Sequence, residues 1–156
     1  YQASKVVAWR EDCCPHRNVV PVIETEPLGT AGALRNASPF LRPPVLVLNG
    51  DTLPEYDLAK FIAFHMIAEV SDRVSFMDVP HRLRAGNIEA SVAWYDGKYA
   101  GAAMLSDAFF ARLAVSFERD LDALLIGASR YHVPGFLDIG TPDDFYRAQH
   151  LKKEHP

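Results

Sequence analysis

"PVLVLNGDTLPEYDLAKFIAFH", residues 44–65, decides the fold. Residues 45–48 are a continuous apolar run, the pattern of a strand buried on both faces. Asn49, Gly50 and Asp51 follow at once. Asp57 then stands at a helix N-cap position, ahead of Leu58, Phe61, Ile62 and Met66 at helical spacing. Asn-Gly is also a hairpin signal, but the element expected next is that helix and not a returning strand. A strand, a turn of small polar residues and an amphipathic helix form the repeating unit of an α/β protein.

The alternation continues on both sides. Residues 19–23 form a β-branched run of strand length, and residues 31–38 have a helical pattern with Thr30 as the candidate N-cap. Downstream, residues 73–79 and 88–95 read as strands, the second closing on a turn at Asp96-Gly97, and residues 102–105 as a further short strand. Residues 106–113 and 117–125 read as helices, and 131–133 and 136–139 as extended segments. The last helix carries a strong start signal: Thr141 as N-cap, Pro142 at the first helical position, Asp143 and Asp144 in the first turn. The pattern predicts an α/β fold with a mainly parallel sheet, whose ligands bind at the carboxyl ends of the strands.

The 156 residues are enough for one domain, residues 1–156, with a sizeable core. A net charge of −4 and the lack of any Lys/Arg cluster argue against general nucleic-acid binding. No apolar run reaches membrane-spanning length and no signal-peptide pattern opens the chain. The only cysteines, Cys13 and Cys14, are adjacent and make a poor structural bridge, so the compartment reads as cytoplasmic. The opening "YQASKVVAWRED" has the pattern of the middle of a surface helix, and an N-terminal portion is expected to be missing. The histidines share no metal-ligand spacing.

Candidate site residues fall at the expected strand ends. Gly50 would let a phosphate or sugar approach the backbone, and Asp51 would ligate a hard cation such as Mg²⁺. Asp138, in "GFLDIGTP", is a second carboxylate just before a turn and a helix, and the two aspartates could share one metal. In "ETEPLGTAGALRNA", residues 24–37, the Gly29-Thr30-Ala31-Gly32 run precedes a helix start. Small residues and free N–H groups there suit a flat or anionic ligand, and a merely tight turn is the alternative.

Those three motifs, in that order, resemble the sugar-1-phosphate nucleotidyltransferases, closest to the mannose-1-phosphate and D-glycero-D-manno-heptose-1-phosphate guanylyltransferase branch. The resemblance covers about residues 1–150. It implies a Rossmann-like three-layer α/β/α sandwich and condensation of a nucleoside triphosphate, GTP first, with a sugar 1-phosphate. It further implies that the Pro27–Gly32 turn, through Leu28, Gly29, Thr30 and Ala31, holds the nucleotide with Gly50. By the same resemblance Asp51 and Asp138 are catalytic and hold Mg²⁺, and Gly86, in "RAGNIEA", contacts the sugar through its backbone.

The chain departs from the family pattern in three places. The glycine-rich Gly-x-Gly-Thr-Arg loop and its lysine do not stand upstream of these motifs. The Phe-x-Glu-Lys segment does not follow "WYDGK", and Tyr99 replaces the asparagine expected before Ala-Gly. A non-catalytic module that binds a nucleotide sugar or a partner subunit therefore stays open, as does homo-oligomerisation. A metal-dependent glycosyltransferase is disfavoured, because no Asp-x-Asp pair follows a strand.

Overall fold

A computed structural model of the chain describes residues 2–15, 17–70 and 89–151. In chain order the elements are α1 (Ala3–Cys13), α2 (Gly29–Ala37), β1 (Val45–Leu48), β2 (Thr52–Pro54), α3 (Leu58–Val70), β3 (Ala90–Tyr95), β4 (Lys98–Leu105), α4 (Asp107–Val115), α5 (Leu121–Leu124), β5 (Ser129–His132), β6 (Phe136–Asp138) and α6 (Pro142–Leu151). The predicted strand at residues 73–79 and the candidate Gly86 lie outside the described residues. No described helix is long and apolar enough to cross a membrane.

β1, β4, β3 and β5 form one sheet in that order, and β2 pairs with β6 in a two-stranded ribbon. Side chains alternate across the main sheet. Val92, Ala103 and Leu105 pack on one face against Ala31 and Leu34 of α2, Phe109 and Leu113 of α4, and Leu121 and Leu124 of α5. Ala93, Ala102 and Met104 pack on the other against Phe61, Leu58 and Ile62 of α3. The result is a three-layer α/β/α sandwich. On α3, one helical turn beyond the fully buried Phe61, His65 is also fully buried, with Nδ1 2.9 Å from Ser91 Oγ.

Several local expectations hold for the stated reasons. Asp57 Oδ1 accepts the N–H groups of Ala59 and Lys60 at 2.9 and 3.2 Å and caps α3. Thr141 Oγ1 accepts the Asp144 N–H at 3.2 Å and donates to Asp144 Oδ2 at 2.7 Å, a reciprocal cap for α6. Asp96 and Gly97 have φ of 44° and 80°, the doubly positive pair that a tight hairpin turn needs.

Other expectations are corrected. The sheet is mixed, but only β3–β5 is parallel among the described pairings. β4 is the return strand of the Asp96-Gly97 hairpin and lies between β3 and β1, so both of its pairings are antiparallel. β1 is a strand but is not buried on both faces: among the described residues it is the outermost strand of the sheet, with Leu48 47% exposed. Residues 19–23 form no strand. Pro21 lacks an N–H for a ladder, and the carbonyl of Val19 accepts Arg10 Nε at 3.2 Å instead. Of the helix predicted at 117–125, only Leu121–Leu124 forms. Glu118 Oε1 accepts the N–H groups of Arg119 and Asp120, at 2.7 and 3.0 Å, and holds the preceding residues out of the helix. Finally, β2 lies between Asp51 and α3, where no strand was expected.

Gly101 seats β2 against the sheet. Its φ is +73°, and a Cβ there would stand 2.5 Å from the Thr52 side chain. Gly97 shares the positive φ, at +80°, but a Cβ there would meet open space. Gly101→Ala is expected to cost about 2 kcal/mol or more, and Gly97→Ala only about 1 kcal/mol, in urea unfolding. Equal losses at the two positions would show that Thr52 moves aside freely and that the close approach is not a constraint.

Candidate active site

The carboxyl ends of β1, β3 and β5 meet at one edge of the main sheet. Asn49, just past β1, donates its N–H to the Gly101 carbonyl at 2.9 Å, and Val133, just past β5, donates to the Trp94 carbonyl at 3.0 Å. The β2–β6 ribbon starts from this edge. Its register sets Thr52 opposite Asp138, and one residue further the Ile139 N–H donates to the Asp51 carbonyl at 2.7 Å. Asp51 and Asp138, 87 positions apart in sequence, thus stand side by side.

Gly140 lies between the two carboxylates. A Cβ at that position would stand 3.1 Å from Asp138 Oδ1 and 3.7 Å from Asp51 Oδ2. Its N–H donates to Asp138 Oδ1 at 2.9 Å and orients that carboxylate. Sequence reading passed over Gly140, although a glycine two residues after an expected ligand is the available signal. Both aspartates are exposed, and a Cβ on Gly50 would meet nothing within 4 Å. Among the described residues no group of three or more His, Cys, Asp or Glu side chains could hold a metal. Two open carboxylates beside free space fit Mg²⁺, which takes one or two protein carboxylates and fills its shell with water and phosphate oxygens.

The Gly29–Gly32 turn is held by the segment before α5. Gly29 opens α2 with φ +75°, and the Arg119 carbonyl occupies the place of a Cβ. That carbonyl accepts the Ala31 N–H at 3.0 Å. Arg119 Nη2 donates to the Pro27 carbonyl and Nε to the Leu28 carbonyl, the latter at 3.3 Å. Thr30 is not the N-cap of α2. Leu28 holds that position without a side-chain cap, and Thr30 Oγ1 accepts the Leu121 N–H at 2.8 Å. The hydroxyl lies within the first turn of α2 and takes the first N–H of α5, while Asp120 Oδ1 accepts the Asp122 N–H at 3.0 Å.

The glycines therefore serve the chain's own close packing. With Ala31 committed, Gly29 and Thr30 keep N–H groups that have no acceptor among the described hydrogen bonds. A groove of about 480 Å³ opens beside the turn, lined by Glu26, Leu28, Gly32, Arg35, Asn36 and Arg119.

Tyr99 stands where the family pattern has an asparagine. It lies at the start of β4, two residues before Gly101, and packs into the core on the α5 side. Its hydroxyl is buried and has no hydrogen-bond partner among the described residues. Burial pushes its pKa far above the ordinary phenol range, and the Asp122 carboxylate and the Tyr56 hydroxyl add to the rise. Burial also raises Tyr56, whose hydroxyl donates to the Ala100 carbonyl at 3.4 Å. Asp122 is raised by desolvation and then by the Asp120 carboxylate.

The nucleotidyl transferase family model matches residues 8–89. The chain is 31% identical over 153 residues to the probable mannose-1-phosphate guanylyltransferase 3 of Arabidopsis thaliana, covering 82% of this chain and 46% of that protein. It is 30% identical over 140 residues to the D-glycero-alpha-D-manno-heptose 1-phosphate guanylyltransferase of Campylobacter jejuni, covering 80% and 63% respectively. It spans less than two thirds of either relative. HddC from Yersinia pseudotuberculosis, in a crystal structure complexed with GMP-PN, superposes with a TM-score of 0.69 at 20% identity. That alignment covers 97% of this chain and 75% of HddC, and it shows a shared fold.

The tyrosine shifts set an alkaline limit on stability. Phenols that stay neutral when folded but ionise near the ordinary value of 10 when unfolded cost nothing below pH 10, and their cost to stability grows above it. Unfolding free energy is expected to fall between pH 10 and about 12, with a shallower fall in Tyr99→Phe. Urea titrations across that range test this, and an unchanged slope in the variant would mean that Tyr99 ionises freely in the folded chain.

Proposed function

The chain belongs to the nucleotidyl transferase family, and from that premise we propose that it carries the active site of a sugar-1-phosphate guanylyltransferase. The reaction joins GTP and a sugar 1-phosphate to give a GDP-sugar and pyrophosphate. A phosphate oxygen of the sugar 1-phosphate attacks the α-phosphorus of GTP. The bond from that phosphorus to the oxygen bridging to the β-phosphate breaks, and that oxygen leaves with pyrophosphate. The observation that carries the reading is the meeting of Asp51 and Asp138 around Gly140 at the strand ends.

No protein nucleophile is needed, because phosphoryl-type transfer is catalysed by positioning and charge neutralisation. Asp51 and Asp138 would hold Mg²⁺, which supplies charge neutralisation at the phosphates when bound. Gly50 leaves the backbone open to the phosphates. Gly29 and Thr30 offer N–H donors to the nucleotide, with Leu28 and Ala31 completing the turn. Gly86 is kept as the proposed backbone contact to the sugar. Guanine is favoured because the two relatives named above are guanylyltransferases. The compartment is read as the cytoplasm, on the ground of two adjacent free cysteines.

Calorimetry of GTP and GDP-mannose, with and without Mg²⁺, tests this on the chain and on Asp51→Ala. The expected outcome is Mg²⁺-dependent GTP binding that weakens about tenfold or more in the variant, the scale for losing a charged ligand group. A folded chain that binds neither ligand would overturn the reading. GDP-mannose binding without pyrophosphate release, when GTP and mannose 1-phosphate are supplied, would point instead to a non-catalytic binding module.

A further inference from the structure

We propose that Arg119 is a positioning residue for the nucleotide: it locks the peptide planes of the Pro27–Gly29 turn so that the Gly29 N–H faces the ligand. The inference rests on the guanylyltransferase reading above and adds a residue to it that acts through the backbone of the turn.

The argument begins with peptide geometry. In a trans peptide the C=O and the following N–H point in opposite directions. The guanidinium of Arg119 grips two consecutive carbonyls, those of Pro27 and Leu28. Holding the Pro27 carbonyl turns the Leu28 N–H the other way, where Glu24 Oε2 accepts it at 3.2 Å. Holding the Leu28 carbonyl turns the Gly29 N–H away from Arg119. A glycine is the residue most able to let its peptide flip, and at φ +75° Gly29 is that residue here. A flip would replace a donor by a carbonyl oxygen and so invert what the turn offers a ligand.

Arg119 acts a second time through its backbone. Its carbonyl accepts the Ala31 N–H and occupies the space beside Gly29. The segment is itself held: the Glu118 carbonyl accepts Arg35 Nη2 at 3.0 Å, and the Glu118 carboxylate accepts the Arg119 and Asp120 N–H groups. The planar fork of an arginine matches a pair of neighbouring acceptors, and a lysine ammonium does so less well.

The test uses Arg119→Ala and Arg119→Lys, each confirmed folded by circular dichroism. Amide hydrogen exchange at the hydrogen-bonded Leu28 and Ala31 reads the turn, and calorimetry with GTP and Mg²⁺ reads the ligand. Faster exchange confined to the turn in Arg119→Ala is expected, with GTP affinity down about tenfold, and Arg119→Lys in between. Mn²⁺ affinity at the aspartates is the control and is expected not to change. A purely structural role would loosen the turn and leave GTP affinity alone, and that result overturns the proposal, as does an unaltered turn. If the unsubstituted chain fails to bind GTP, the guanylyltransferase reading falls and the positioning role with it. If it binds GTP and Arg119→Ala binds equally well, only the role of Arg119 falls.

Discussion

The register of the β2–β6 ribbon is the constraint on which the site depends. Thr52 faces Asp138, and the Asp51 carbonyl accepts the Ile139 N–H at 2.7 Å. A slip of one residue would send every β6 side chain to the opposite face of the ribbon and separate the carboxylates. Three pairs alone would leave a short ribbon marginal. Its position is fixed from outside, by the close approach of Gly101 to Thr52 on one side and by the capped start of α6 on the other. Gly140 then brings no side chain of its own against the two aspartates.

Arginines fix the α-helical layer on the turn's side of the sheet by donating to backbone carbonyls. Arg35 reaches the Leu113 carbonyl at 3.0 Å and the Glu118 carbonyl, and Arg112 reaches the Leu124 carbonyl at 2.9 Å and Glu89 at 2.8 Å. Both partners of the Arg112–Glu89 pair are about two fifths exposed, so its Coulombic contribution is modest. The larger effect is geometric. The Leu113 carbonyl near the end of α4 also accepts the Ser116 N–H, at 3.3 Å, and the guanidinium of Arg35 adds a second donor there. Arg112 donates to the carbonyl that ends α5, and each arginine ties one element to the next. Arg119 does the same for an irregular turn. The layer is thus joined by directional bonds to backbone atoms as well as by its apolar core, which suits a site built from loops that must hold their shape.

Much of this protein is legible in its sequence because the responsible forces are local. The caps at Asp57 and Thr141 and the hairpin at Asp96-Gly97 depend on residues within one or two turns of one another. Of the apolar positions expected on α3, Leu58, Phe61 and Ile62 join the core, while Met66 is 40% exposed. The three motifs resemble those of the family, and strand ends that bear small residues and carboxylates mark a ligand edge. The tertiary structure decided what depends on partners distant in sequence. It placed β4 between β1 and β3 and gave the sheet its antiparallel balance. Among the described residues it left β1 outermost in the sheet and kept residues 19–23 out of any ladder. It drew Thr30 away from capping its own helix, because the Leu121 N–H, 91 positions along the chain, needed an acceptor. It assigned the positive φ of Gly29 to the carbonyl of Arg119, a neighbour that no local pattern could announce. Hydrogen bonds and close approaches between remote segments are set by packing, and packing is known only once the chain has folded.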